Sequence, residues 1–391
     1  MNQSTFYAIL YGVIRLLLWP FLKCRYGFRT DRVPKTNESF LLVSNHTTED
    51  DMLFVMAACP KPVYFVCGEH LLRNPRYGRL LRRLLNPVPV PKGGSTLPAV
   101  RRMLKRLTAG ERLCLFYEGK RSYHGETIPA PETLGALVKK AGCGLVTYHI
   151  TGGYFTYPRW ARGNRRRGHT EGHVAGVYSA ARLRDLSAAE ITALINRDTY
   201  ENAYRTQRDR QWVYKGRRLA EGLESVLFLC PRCGAEDSIR TEGNRLFCAR
   251  CSLAGEYTER GFLEGSELPY DNVLDWMRWI EREYDDRVRA AGEDACLDRV
   301  DGVELYQMDE NYINHTLCTA ELRLYRDRME LGERIFPFRD IHSLSVLYGN
   351  ILLFTVGEAY YGLTGRSFKA WKYARLWHTE KGDTHDRTKE I

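Results

Sequence analysis

No stretch of this 391-residue chain carries the 20 or so uninterrupted apolar residues that a membrane-spanning helix ordinarily needs. A secretory signal with a small-residue cleavage site is also missing, so the eleven cysteines are expected to sit in a reducing compartment. Seven of them (Cys24, Cys59, Cys67, Cys114, Cys143, Cys296 and Cys318) follow no spacing pattern, which speaks against a disulfide framework. Acidic residues are scarce in the first half. Lys and Arg exceed Asp and Glu by 20 over residues 1–220, and the balance reverses to −10 over 221–391, for a net +10. The two halves are therefore expected to do different work, the basic one near an anionic partner. Charge alone does not separate nucleic acid from anionic lipid, because both attract through the same long-range field. With 44% apolar residues the chain is folded, and its length predicts two or three domains.

Phe6 to Leu22 is rich in Leu, Ile and aromatics, with Arg15 in its middle, Pro20 ending it and Lys23, Arg25 and Arg29 behind. That pattern predicts a helix over residues 1–30 lying in a membrane interface, with Arg15 snorkelling and Trp19 at headgroup level. A spanning helix and a buried helix are the alternatives. From residue 40 to about 180, apolar strand-like runs (Phe40–Val43, Val63–Cys67, Leu113–Phe116, Leu145–Ile150, Val174–Tyr178) alternate with helical patterns near 52–59, 71–85, 95–108 and 132–141. This predicts an α/β fold, a mixed sheet flanked by helices. Ser187-x-x-Glu190 is a capping box, and helix is expected from there through Arg218, closing a domain of residues 31–222.

Cys230-x2-Cys233 and Cys248-x2-Cys251, fourteen residues apart, offer four thiolates on two knuckles. This is the donor set of a tetrahedral structural zinc, and predicts a zinc ribbon over 223–264. Four ligands leave no open position, so the metal is expected to be a fold staple. Residues 265–391 are expected to hold a helix around 267–291 and a small β-rich, pleckstrin-homology-like domain with strands from Glu321 to Gly362. A helix over 367–378 closes it, with Phe368, Trp371 and Ala374 in the core.

Chemistry concentrates where the first strand ends. Ser44-Asn45-His46-Thr47-Thr48-Glu49-Asp50-Asp51 sets a histidine near three acids. An imidazole, ordinarily titrating at about 6.5, suits a general base, and a carboxylate beside it fixes the tautomer. In an unbroken helix Asp50 would face His46, whereas Asp51 serves only if His46 precedes the helix. Thr48-x-x-Asp51 is also a capping box, a reading in which Asp51 only starts the helix and His46 is an incidental surface side chain. A second cluster follows Leu113–Phe116: Tyr117-Glu118-Gly119-Lys120-Arg121-Ser122 reads as a loop in which Arg121 can clamp a phosphate. Lys92, at the end of a Pro-limited Val-Pro-Val-Pro run, is a further anion candidate.

Taken together, Asn45-His46-x4-Asp51, Lys92 and Phe116-x-Glu118-Gly119-x-Arg121-Ser122 resemble the glycerolipid acyltransferase family, which includes lysophosphatidic acid acyltransferases. The resemblance covers residues 1–180. It implies an acyl-thioester donor, acyl-CoA or acyl carrier protein, and a lysophospholipid hydroxyl as acceptor at the cytoplasmic face of a membrane. It further implies that His46 is the base, that Asp51 orients it, and that Lys92, Glu118, Gly119 and Arg121 hold the acceptor's phosphate end. The chain departs from the family at Thr47-Thr48, Tyr117 and Lys120, by Lys92 in place of arginine, and in a fourth motif barely recognisable in Val146–Ile150. Those departures bear on the headgroup rather than the reaction. The basic loop from Arg159 to Arg167 is expected to touch anionic lipid heads. Two other readings remain: a nucleic-acid-binding zinc-ribbon protein, against which the ribbon's position in the acidic half counts, and a lipid-binding adaptor without activity.

Overall fold

The computed structural model describes residues 3–69, 72, 78–90, 97–161, 163–309, 313–347 and 349–381. The chain divides into two compact units, Met1–Arg159 with Arg165–Gly216, and Trp160–Asn164 with Arg217–Ile391.

In the first unit, helix α1 (Gln3–Tyr26) is followed by β1 (Arg29–Thr30), β2 (Phe40–Ser44), α2 (Asp51–Ala58), β3 (Tyr64–Gly68), α3 (Gly78–Leu85), β4 (Val88–Val90) and α4 (Leu97–Thr108). Then come β5 (Leu113–Phe116), α5 (Glu132–Ala141), β6 (Gly144–Thr151), β7 (Glu171–Tyr178), α6 (Ala188–Thr199) and α7 (Ala203–Arg210). Seven strands form one mixed sheet in the order β1-β7-β6-β2-β5-β3-β4. Among the described residues its only antiparallel pairing is β6 with β7. The central strand β2 is wholly buried because both sheet faces are covered. Phe40 and Leu42 face a core shared with Tyr11, Tyr26 and Phe54 of α1 and α2, and Leu41 and Val43 face Leu107, Val138 and Ile191 of α4, α5 and α6.

Two features of α1 differ from expectation. Pro20 lies inside the helix, which runs on to Tyr26. Arg15 does not snorkel: its Nε donates to the carbonyl of Ala57 at 3.0 Å, satisfying an acceptor that the last turn of α2 would otherwise leave open. Tyr7 and Tyr11 reach in the same direction, to the carbonyls of Leu85 and Met56. The opposite face exposes Ile9, Val13, Leu16, Leu17, Trp19 and Phe21. By length and composition Tyr7–Tyr26 could also cross a membrane.

The helix expected through Arg218 stops sooner. α6 ends at Thr199, Asn202 caps a new short helix by accepting from the backbone of Arg205, and Gln211 takes a left-handed conformation that ends it. Beyond it the chain is irregular, with Lys215 bridging to Arg167 and Arg218 at φ +54°.

The second unit begins with four antiparallel strands, β8 (Ile239–Glu242), β9 (Arg245–Cys248), β10 (Ala254–Tyr257) and β11 (Leu263–Glu264). Helix α8 (Val273–Ala290) precedes seven antiparallel strands: β12 (Asp298–Met308), β13 (Asn314–Leu324), β14 (Arg328–Leu331), β15 (Arg334–Pro337), β16 (Ile341–Leu347), β17 (Ile351–Val356) and β18 (Ala359–Thr364). Their order is β15-β14-β13-β12-β18-β17-β16, and α9 (Ala370–Glu380) follows. The β-rich region thus opens at Asp298, well ahead of the expected Glu321. Phe368, Trp371 and Ala374 are core, as expected.

Candidate active site

Register brings the site together. Ser44, last residue of β2, pairs with Phe116 on β5 and Tyr148 on β6, so two residues further on His46, Glu118 and Ile150 stand level at one edge of the sheet. Asn45 bridges that edge, its side chain donating to and accepting from the backbone of Ile150 at 2.8 Å each. The chain then turns before α2. His46 precedes the helix and Asp51 is its first residue, the arrangement in which an i+5 acid can reach back.

Asp51 is the acid that faces His46. Its Oδ2 lies 2.8 Å from His46 Nδ1, and the carboxylate is fully buried. Three further groups fix it: the backbone N–H of Thr47 and of Thr48, and the Thr47 hydroxyl at 2.9 Å. Only half of the expected capping box forms: Asp51 accepts from the Thr48 N–H, but the Thr48 hydroxyl makes no return bond and Asp50, the N-cap residue, caps with no side-chain bond, so the carboxylate serves the turn and the imidazole. Asp50 points elsewhere, accepting from the Tyr26 hydroxyl and from Arg165. The other face of the His46 ring leans on Phe116, centroids 4.8 Å apart. With Nδ1 occupied, Nε2 is the nitrogen left for chemistry, on a side chain 21% exposed.

Glu118 meets His46 through the backbone. One oxygen accepts from the His46 N–H at 2.7 Å and the other from Ile128 N–H at 3.4 Å, and the carboxyl is buried. Burial pushes its pKa up to about 8, outweighing the two N–H donors, which pull it down. Gly119 turns the chain out of β5 at φ +65°, with its N–H on the Phe116 carbonyl. No atom lies within 4 Å of the position a Cβ would take, so backbone conformation rather than space favours glycine there. Ser122 N–H closes the loop onto the His46 carbonyl.

Arg121 is held: Nη1 donates to the Tyr157 carbonyl at 3.2 Å and Nη2 to Glu49 at 2.9 Å, over the Tyr157 ring. Lys92 lies outside the described residues. Of the basic loop's arginines, Arg159 and Arg166 are buried and Arg165 and Arg167 are exposed. Arg165 joins the site, bonded to Asp50 and Glu49. Arg162 lies outside the described residues.

Residues 28–151 match the family model described as Acyltransferase. This segment is an acyltransferase domain. A 1-acyl-sn-glycerol-3-phosphate acyltransferase of Streptococcus pneumoniae (strain ATCC BAA-255 / R6) is 24% identical over 213 residues, spanning 54% of this chain and 77% of that protein. The crystal structure of the 1-acyl-sn-glycerophosphate acyltransferase PlsC from Thermotoga maritima overlaps with a TM-score of 0.39 at 18% identity, over 48% of this chain and 76% of that one. The acyltransferase domain holds residues that its sequence signature did not single out. Glu49, Asp50 and Arg165 form an ion-pair cluster beside the histidine, and no local pattern announces it because Arg165 arrives from 115 residues away. His149 and Glu201 form a second histidine–carboxylate pair, 2.8 Å apart and also joined across a long separation.

Proposed function

We propose that the chain is a membrane-surface O-acyltransferase, moving an acyl group from an acyl thioester to a hydroxyl of a lysophospholipid. The observation that carries this is the His46 Nδ1 to Asp51 bond, which fixes the imidazole and turns Nε2 outward. His46 Nε2 takes the acceptor's proton as its oxygen attacks the thioester carbonyl. The new C–O ester bond forms, the C–S bond breaks, and the proton passes to the departing thiolate. Asp51 steadies the imidazolium. The donor is acyl-CoA or acyl carrier protein. The acceptor class is the lysophospholipids, of which the relative's name gives lysophosphatidic acid as one type, with Arg121 and Lys92 contacting the phosphate. Glu118 and Gly119 act by shaping the loop.

The exposed apolar face of α1 supports attachment to the cytoplasmic face of a membrane, as a peripheral helix whose other side is bonded into the fold. Cys230, Cys233, Cys248 and Cys251 would hold a structural zinc. Their sulfurs all lie within 4.8 Å of one another, with Cys230 to Cys251 at 3.7 Å and Cys233 to Cys248 at 3.8 Å. A tetrahedron with Zn–S bonds of about 2.3 Å has edges of about 3.8 Å, so the donor set fits. Bound zinc would cross-link the two knuckles and take no part in the reaction. The strand order around β12, followed by α9, supports a pleckstrin-homology-like domain. Thiol release from acyl-CoA or acyl carrier protein, measured with a panel of lysophospholipids, tests the reading. The parent is expected to turn over and His46→Ala to lose that turnover while staying folded and bound to vesicles. Equal rates in the two proteins would sink it.

A further inference from the structure

In the turn that follows His46, Glu49 and Asp50 pair with two arginines, Arg121 and Arg165. Glu49 accepts from Arg121 at 2.9 Å through one oxygen and from Arg165 at 3.0 Å through the other, and Arg165 Nη1 reaches Asp50 at 2.6 Å. Both guanidiniums lie over Tyr157, at 5.2 and 4.4 Å, and Arg159 donates to the Arg121 carbonyl. Glu49 and Asp50 lie within the turn that joins His46 to Asp51, so the cluster shares its backbone with the dyad. Glu49 is also the most exposed carboxylate of the cluster, at 42% against 22% for Asp50.

We propose that Glu49 selects the acceptor's headgroup, favouring a phosphodiester that carries a hydrogen-bond donor at its far end over a phosphate monoester. This rests on the acyltransferase reading above. Each guanidinium has five N–H donors, so both arginines retain N–H groups for a singly charged diester while Glu49 stays in place. The ammonium or hydroxyl beyond that diester then finds the Glu49 carboxylate. A monoester carries close to two charges at neutral pH and meets Glu49 as a like charge. It binds well only if Glu49 leaves both arginines. A site in which Glu49 already bridges Arg121 and Arg165 thus suits a headgroup that supplies both signs, or donors as well as acceptors.

The test compares kcat/KM, by thiol release on vesicles, for lysophosphatidylethanolamine, lysophosphatidylglycerol and lysophosphatidic acid in the parent, Glu49→Gln and Glu49→Ala. The parent is expected to prefer at least one diester over the monoester by tenfold or more. Which diester leads tells an ammonium from a hydroxyl. Glu49→Ala is expected to shrink that ratio at least tenfold, chiefly through KM, with Glu49→Gln in between and unchanged melting temperatures. A parent that prefers the monoester, or a ratio that Glu49→Ala leaves alone, overturns the role of Glu49 while the acyltransferase reading stands. Absence of thiol release with every acceptor overturns both.

Discussion

At the scale of single residues, two neighbouring aspartates have been given different work by one turn of backbone. Asp51 is buried and bonded to the His46 ring, whereas the Asp50 carboxylate is spent on Tyr26 and Arg165. Asp51→Asn keeps the shape but offers an amide where the imidazolium needs a charge, so kcat is expected to fall by about 10² to 10⁴ with little change in KM. Asp50→Asn is expected to stay within a few-fold in kcat. Steady-state kinetics on the two variants decides between them, and the reverse ranking would remove Asp51 from its positioning role. Glu118 carries a second prediction. Its carboxyl is pushed up to about 8 from an ordinary 4.5, so between those values the folded state binds more protons than the unfolded one. Stability from this group is therefore present at low pH and lost as pH rises through about 8. The melting temperature of the parent relative to Glu118→Gln is expected to fall from pH 5.5 to pH 8.5. A difference that stays flat or rises across that window would show that the carboxyl is ionised throughout. Of these assignments, His46 and Glu118 were legible in the sequence because each follows an apolar strand. The choice of acid was not, since it depends on where α2 begins.

At the scale of elements, the strands and helices of the first unit were largely readable because β2, β5 and β6 are continuous apolar runs and α4 and α5 carry one apolar face. Elements that escaped did so for physical reasons. β12 has register shifts between Val300 and Val303 and between Leu305 and Tyr306, and β13 opens with four exposed residues, so neither shows the alternation that announces a half-buried strand. The end of α7 turns on Gln211, a residue type with no special claim to a left-handed conformation. In α1 the apolar pattern was visible but its direction was not. Arg15 was expected to mark the wet side, and it marks the side bonded to α2. The proposed membrane face is thereby narrowed to the residues left exposed, of which Leu16 and Leu17 are 75% and 68% accessible. Burying one leucine is worth about 1.5 to 3 kcal/mol. Replacing both by glutamate is expected to weaken binding to anionic vesicles by tenfold or more in a sedimentation assay, leaving the melting temperature unchanged. Undiminished binding would move the membrane contact off this helix.

At the scale of the whole chain, catalysis and the cysteine knuckles belong to different units, and the second unit has its own internal lock. Lys372 of α9 is 1% exposed and reaches Glu236 at 3.1 Å, Asp237 at 2.6 Å and Asp298 at 3.2 Å. Burial pulls its pKa down, but Asp298, Asp237 and Glu236 push harder the other way and keep the ammonium charged. Those three carboxylates therefore hold a lysine and not a second metal. Two of them stand between Cys233 and Cys248, so whatever orders the knuckles also orders the seat of Lys372. A buried ion pair that loses its partners is costly, on the order of 3 to 5 kcal/mol. Stripping the full-length protein with a chelator is thus expected to do more than loosen the ribbon. Amide exchange is expected to quicken both in residues 228–252 and in α9, and to recover on adding zinc. Acyl transfer by residues 28–151 is expected to persist in the same sample, because no cysteine ligand comes from that unit. Exchange that changes only in the knuckles would uncouple Lys372 from the metal. Loss of acyl transfer from a first unit that still melts normally would mean that zinc serves the reaction and not only the fold.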